Sequence, residues 1–211
     1  MTFLELAQRL RLESMVSGSG PSSVVGQVGE LGELVAWINT AYQDIQLLHD
    51  DWRFMQSEFS FPTIANVNTY TPAAVSLTAL AEWLVGDLRC YLSLGDENPM
   101  LYEGWGEFRA VRDLGDVTTG RPTHFSVKPD NSLILWPTPD QIYTVRGEYI
   151  IVPDVLSGNT DEPIIPARFH MIIVWRALIY YGAALAADEK LAHGRNEYTR
   201  LMRALRASQG Q

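Results

Sequence analysis

Residues 120–152 read Gly-Arg-Pro-Thr-His-Phe-Ser-Val-Lys-Pro-Asp-Asn-Ser-Leu-Ile-Leu-Trp-Pro-Thr-Pro-Asp-Gln-Ile-Tyr-Thr-Val-Arg-Gly-Glu-Tyr-Ile-Ile-Val. Three β-strands are legible in this stretch, at 124–128, 133–136 and 143–152. The first two are joined at Pro129-Asp-Asn-Ser132, a run of turn residues between apolar segments and therefore a hairpin signal. Pro137 and Pro139 stop the second strand, because proline has no N–H to give to a ladder. Arg121-Pro122 fixes the start of the first, since the residue before a proline is pushed towards extended geometry.

Upstream the pattern stays β-like for some distance. Residues 58–62 alternate polar and apolar, and Thr69-Tyr-Thr-Pro72 follows Asn66 and Asn68, which predicts a short hairpin there. A further strand is expected at 88–94. Leu101, Trp105 and Phe108 suit one short helix.

Both ends of the chain are helical in pattern. Thr2 followed by Glu5 reads as a capping box, and Phe3, Leu6, Ala7 and Leu10 recur at helical spacing, so a first helix is expected to about Ser14. Ser17-Gly-Ser-Gly-Pro-Ser-Ser23 is a loop by composition. A second helix is expected over 30–55. Its stripe is Leu31, Leu34, Val35, Ile38, Ala41, Tyr42, Ile45 and Leu48, continued by Trp52, with Glu30, Glu33, Asn39, Asp44 and Asp51 falling elsewhere.

Asp161-Glu-Pro-Ile-Ile-Pro166 marks a boundary. Beyond it, Phe169 to Ala184 is apolar nearly all round and predicts a buried helix. A last helix follows, with Asp188 as its cap, to form an antiparallel hairpin. The expected class is α+β: a helical bundle from residues 1–55 and 165–211, with a β-rich insertion at 56–164.

Composition narrows the function. In 211 residues, 46% are hydrophobic, enough for a real core in one large domain or two small ones. There are 25 acidic and 16 basic residues, a net charge of −9. That disfavours a protein whose main work is gripping nucleic acid, which takes clustered cations. It is compatible with DNA sliding past without sticking. Cys90 is the only cysteine, so no intrachain disulfide forms, which fits a reducing compartment. No secretory leader is legible at the N-terminus, and the apolar run at 171–187 is interrupted by Arg176 and too short to span a bilayer, so no membrane partner is expected.

The charge is uneven. From Arg168 onward there are 7 bases and 3 acids, a net of +4, which leaves −13 for the rest. Arg195, Arg200, Arg203 and Arg206 crowd the last helix. They read either as a solvated face complementing the negative C-terminal end of the helix, or as a docking surface for an acidic partner or neighbour. Arginine outnumbers lysine 14 to 2, a bias that suits interfaces.

Chemistry is harder to find. His49-Asp50-Asp51 could ligate a metal, yet HExxH and HxH partners are missing, and a polar helix end is the simpler reading. Ser17–Ser23 lacks the Gly-Lys-Ser/Thr ending of a phosphate loop. Gly104-Trp-Gly106 is a lone fragment read as tight packing near Trp105. No nucleophile elbow, kinase signature or dinucleotide fingerprint occurs. Trp37, Trp52 and Trp175 lie in helical segments, where packing is the ordinary role, whereas Trp83 and Trp136 leave a sugar-stacking reading open. No catalytic residue, cofactor site or metal site is expected.

The order of the short motifs adds something that composition does not. Gly120-Arg-Pro-Thr-His-Phe125, Leu133-Ile-Leu-Trp-Pro-Thr-Pro139, Tyr143-Thr-Val-Arg-Gly-Glu-Tyr149, then Asp161-Glu-Pro-Ile-Ile-Pro166 with Phe169-His170 and a long apolar helix, resembles the head–tail adaptor, or connector, proteins of tailed bacteriophages. The opening pair of helices ending near Trp52-Arg-Phe54 looks like the same family's N-terminal half. The resemblance implies a non-enzymatic virion protein of the neck, made in the bacterial host cytoplasm. Copies would form a homo-oligomeric ring, typically a dodecamer, below the portal protein. The ring would contact the next neck or tail protein and extend the channel for double-stranded DNA. Alternatives are another neck or tail-tube component, a small-molecule or glycan-binding module and, third, a hydrolase.

Overall fold

A computed structural model describes residues 1–49, 51–115 and 117–210. The chain is α+β, with N- and C-terminal helices flanking a β-rich region. It forms two compact units, one from 1–55 with 153–211 and the other from 56–152. Residues 153–164, which the sequence reading put at the end of the β-rich insertion, are grouped with the helices.

The helical unit begins with α1 (Phe3–Ser14). Its capping box is complete: Thr2 Oγ1 accepts from the Glu5 N–H at 3.3 Å, and the Glu5 carboxylate accepts from the Thr2 N–H at 2.9 Å. Two orphan donors of the first turn are thereby satisfied. α2 (Gly29–Gln46) buries Leu34, Ile38, Ala41, Tyr42 and Ile45 along one stripe.

The helix expected to reach residue 55 therefore ends at Gln46. Extension would have set His49-Asp50-Asp51 on its negative end, where acids are unfavourable. Trp52 does not continue the stripe as a further helical turn. Fully buried, it folds back so that its indole N–H donates to the Ile45 carbonyl at 2.9 Å, satisfying one of the last orphan acceptors.

After a 3₁₀ turn at Ala167–Phe169 comes α4 (Met171–Ala184), which buries Ile172, Ile173, Val174, Trp175, Ala177 and Leu178. It packs against α1, α2 and the last helix, which accounts for its apolar surface on nearly every side. α5 (Asp188–Gln209) closes the hairpin. Asp188 is its first residue and not its cap. Ala187 holds the cap position without a side-chain bond, and the two acids of the first turn act on the dipole instead.

The stretch leading into α4 is stitched to α2 by side chains two helical turns apart. Asn39 donates to the Leu156 carbonyl (2.7 Å) and accepts from the Leu156 N–H (3.0 Å). Gln46, 1% exposed, does the same for Asp154, at 3.0 and 2.8 Å. Each amide copies the two-bond pairing of a neighbouring strand. Between them the Tyr42 hydroxyl donates to Asp154 and accepts from the Ile164 N–H at 3.0 Å.

In the second unit two four-stranded sheets share one core. Their strands are β1 (Gln56–Pro62), β2 (Thr69–Tyr70), β3 (Leu80–Tyr91), β4 (Asn98–Pro99), β5 (Leu101–Tyr102), β6 (His124–Val127), β7 (Leu133–Trp136) and β8 (Thr144–Ile151), with α3 (Trp105–Val111) between β5 and β6. The first sheet has the order β1-β8-β3-β4 and the second β2-β7-β6-β5, with β5 parallel to β6. Phe59, Phe61, Trp83, Leu88, Cys90 and Val145 meet Tyr70, Phe125, Leu133 and Leu135 in the core.

The β6–β7 hairpin forms as expected. Asn131 takes the left-handed conformation (φ 66°), and Lys128 N–H donates to the Ser132 carbonyl at 2.9 Å. The hairpin expected around 58–72 does not form, because β1 and β2 belong to different sheets and pair with β8 and β7. β3 begins at Leu80 and not at 88. Between Leu84 and Arg89 it advances five residues while β8 advances two, from Glu148 to Arg146. This bulge breaks the alternation that would have revealed the strand.

Replacing Gln46 with Leu keeps volume while leaving the half-buried Asp154 backbone groups without their partner. We expect a loss of about 1–3 kcal/mol per orphaned group in denaturant unfolding, and a variant as stable as wild type would contradict the stitching role.

His170, 2% exposed, donates from Nε2 to the Ile165 carbonyl at 2.8 Å, and its Nδ1 accepts from the Met1 amino group at 2.7 Å. Burial holds its pKa below the ordinary 6.5. The unfolded chain then binds the extra proton first, so stability is full above about pH 6.5 and falls as pH drops below it. His170→Gln should flatten the melting temperature between about pH 7.5 and 5.5, and equal slopes for the two proteins would exclude His170 as the source.

Candidate functional site

α5 carries the arginines that the sequence marks. Its inner face consists of Gly194, Met202 and Leu205, which are buried, with Leu191, Tyr198 and Leu201 half-buried beside them. Arg195, Arg200, Arg203 and Arg206 are all exposed. At roughly 100° per residue, Arg195, Arg203 and Arg206 lie within about 80° of one another, and Arg200 stands further round. The set runs about 16 Å along the axis.

Two glycines set where α5 lies against α4. A Cβ on Gly182 would fall 2.6 Å from the Leu191 backbone nitrogen, and one on Gly194 would fall 3.1 Å from the Trp175 carbonyl oxygen. The helices approach at backbone contact there, with Trp175 edge-on to His193 at 5.1 Å. Lys190 reaches across to the Glu13 carbonyl at the end of α1, at 2.8 Å.

The arginines of this unit divide by partner. Arg176 on α4 is built into the packing: its guanidinium is 2.9 Å from Asp44 on α2 and stacks over the rings of Tyr180 and Tyr198, at 5.0 and 5.5 Å. Tyr180 donates its hydroxyl to the same Asp44, and burial pushes its pKa up to about 12. Arg200 is held by Glu197 one turn back, at 2.6 Å, and that bond keeps the Glu197 carboxyl below the usual range. Among the described residues no carboxylate lies within ion-pair distance of Arg195, Arg203 or Arg206. Three cations thus point outward from a rigidly seated helix.

The other candidates resolve into packing. His49 is edge-on to Trp52 at 4.8 Å, Asp51 is exposed, and Asp50 lies outside the described residues. Among the described residues no group of three His, Cys, Asp or Glu side chains is placed to hold a metal. Cys90 is buried, and desolvation raises its thiol to about 11, which keeps it protonated and unreactive near neutral pH.

None of the six tryptophans is exposed. Trp83 donates its indole N–H to the Asn131 carbonyl at 2.9 Å. Arg112 covers the Trp136 ring at 4.1 Å and is itself fixed by Glu103 at 2.9 Å, so the face a sugar would stack on is occupied. The Gly104–Gly106 fragment starts α3, where Trp105 stacks on Phe108. The Ser17–Ser23 loop is tied at its far end, where Ser23 Oγ and the Val24 N–H both donate to Asn159 Oδ1. No helix among the described residues is long and apolar enough to cross a membrane.

Sequence reasoning missed the Asp44–Arg176–Tyr180–Tyr198 cluster. An arginine in the middle of an otherwise apolar helix was the available signal.

This division makes a prediction. Arg203→Glu with Arg206→Glu should change unfolding free energy by no more than about 0.5 kcal/mol, as for other surface substitutions. Arg176→Ala should cost more, about 1–2 kcal/mol, since it leaves Asp44 with Tyr180 alone and uncovers two rings. Equal costs in chemical denaturation would erase the distinction.

No curated protein matches the chain. A family model described as SU10 adaptor protein matches residues 1–211, the whole chain. It therefore belongs to the SU10 adaptor protein family, a family of phage structural adaptors.

Proposed function

We propose that this protein is a head–tail adaptor of a tailed phage, assembled as a ring below the portal and continuing the DNA channel to the tail. The family match over all 211 residues carries the reading. It implies association with other virion proteins and a place in the virion, in the neck on this proposal, after synthesis in the host cytoplasm. The ring would have twelve members, matching the portal. The helical unit of 1–55 and 153–211 presents Arg195, Arg200, Arg203 and Arg206 to an acidic partner, and the β-rich unit of 56–152 is inserted in its sequence. The role is structural and needs no cofactor.

Charge supports the reading. A chain with a net charge of −9 repels phosphate and lets double-stranded DNA pass without specific binding. The unpaired cations on α5 suit protein contacts, because arginine keeps its charge and forks onto carboxylates.

The test is the solution mass of the portal ring before and after mixing with this protein. Twelve copies of 23.7 kDa would add about 284 kDa. A defined gain of that size supports the assignment and the stoichiometry. No association with an intact portal ring would move the protein to another position in the neck or tail.

A further inference from the structure

The first sheet has an outer face opposite the core. Glu58 on β1 stands directly across from Glu148 on β8. On the other side of β8, Leu84 pairs with Glu148 and Glu82 with Ile150, which places Glu82 on the same face one step along. Like charges directly opposite on neighbouring strands repel. All three carboxylates are exposed, and among the described residues none has a cation within ion-pair distance. Arg146 and its cross-strand neighbour Arg89 on this face are already held, the first by Glu97 and the second by Asp87 with Glu97. A shallow hollow lies beside the pair, lined by Phe59, Asp87, Arg146 and Gly147 as well as the two glutamates.

The three carboxylates are exposed and without cations among the described residues, and an occupant of this patch has to bring positive charge. An added strand is a poor fit. β1 is the seven-residue open edge, but Pro62 ends it without an N–H and Glu58 projects from its middle, both devices that discourage edge pairing. A helix presenting arginines over the face meets no such obstacle, and this chain carries one. Arg195, Arg203 and Arg206 on α5 are as unpaired as the three glutamates. Arg203 and Arg206 are one turn apart, about 5 Å along the axis, and Glu58 and Glu148 are separated by one strand spacing, also about 5 Å.

We propose that α5 of one copy docks across the outer face of the first sheet of a second copy, with Arg203 and Arg206 against Glu58 and Glu148. This rests on the reading that copies of the chain assemble. The contact is heterologous, one patch meeting a different patch, and such contacts generate rings when the rotation closes.

The experiment measures self-association by sedimentation at low ionic strength, where exposed charges act over about 30 Å at 0.01 M salt. Wild type is compared with Glu58→Gln/Glu148→Gln and with Arg203→Glu/Arg206→Glu. Each pair of substitutions should weaken association about tenfold or more. The glutamine pair should melt no lower than wild type, because it removes an intrachain repulsion, so lost association cannot be ascribed to misfolding.

A chain with Glu58→Lys/Glu148→Lys and the Arg203→Glu/Arg206→Glu chain each face like charge with themselves and opposite charge with one another, so neither should assemble alone and their mixture should co-assemble in one-to-one proportion. Folded variants that assemble like wild type overturn the docking while leaving the ring reading in place. The same holds if only portal attachment suffers, since the arginines then serve another virion protein. A wild type that fails to associate both alone and on the portal overturns both readings.

Discussion

The bundle depends on two side-chain amides. Asn39 and Gln46 lie on the buried side of α2 and present, to a passing segment of backbone, the donor and acceptor that a neighbouring strand would present. A helix has already used its own backbone groups internally, so it can pair with an extended chain only through side chains of this kind. The chain leaves the helices after Met55 and comes back at Pro153. Without the amides, residues 154–156 would run past α2 with unpaired polar groups. With them, the returning segment is held in place, and Ile165, Phe169 and α4 can be delivered against α1 and α2. The insertion is tolerable because the re-joining point is specified by hydrogen bonds and not by apolar contact alone.

The two units treat charge differently. In the helical unit Arg176 is sunk among tyrosines and ties three helices together, while Arg195, Arg203 and Arg206 stand exposed with no carboxylate in reach among the described residues. In the β unit most cations are consumed internally: Arg89 by Asp87 and Glu97, Arg112 by Glu103, Arg121 by Asp96, Arg146 by Glu97. What is left over on the β unit is negative, and what is left over on α5 is positive. Neither remainder contributes to the fold of a single copy. Isolated surface charges of this sort are worth little to stability, which makes them available for recognition.

How much of this could be read from the sequence follows from the range of the signal involved. The capping box at Thr2, the β6–β7 turn and the buried character of α4 rest on residues within a few positions of one another, and the structure has them all. Trp52 belongs to the helical stripe by spacing, yet it caps the helix and does not extend it, because its N–H reaches seven residues back. β3 hides behind its bulge, since periodicity is lost when one strand advances five residues against two. Asn39 falls outside the apolar stripe of α2, and its partner lies 117 positions away. The arginines of α5 were visible as a cluster. That three of them are unpaired and one is not depends on Glu197 and on the seating of the helix, which no local pattern reports.

The seating of α5 has a mechanical consequence. Helices in ordinary side-chain contact stand about 8–10 Å apart and can slide by exchanging rotamers. At Gly182 the approach is backbone to backbone, so there is no compliant layer to shear. A pull on the guanidiniums of α5 is passed to α4 through that contact, and from α4 to α2 through the Arg176–Asp44 pair. Displacement at the surface of the bundle is transmitted and not absorbed. The last two helices and α2, more than a hundred residues before them, thus answer a tug as one stiff lever.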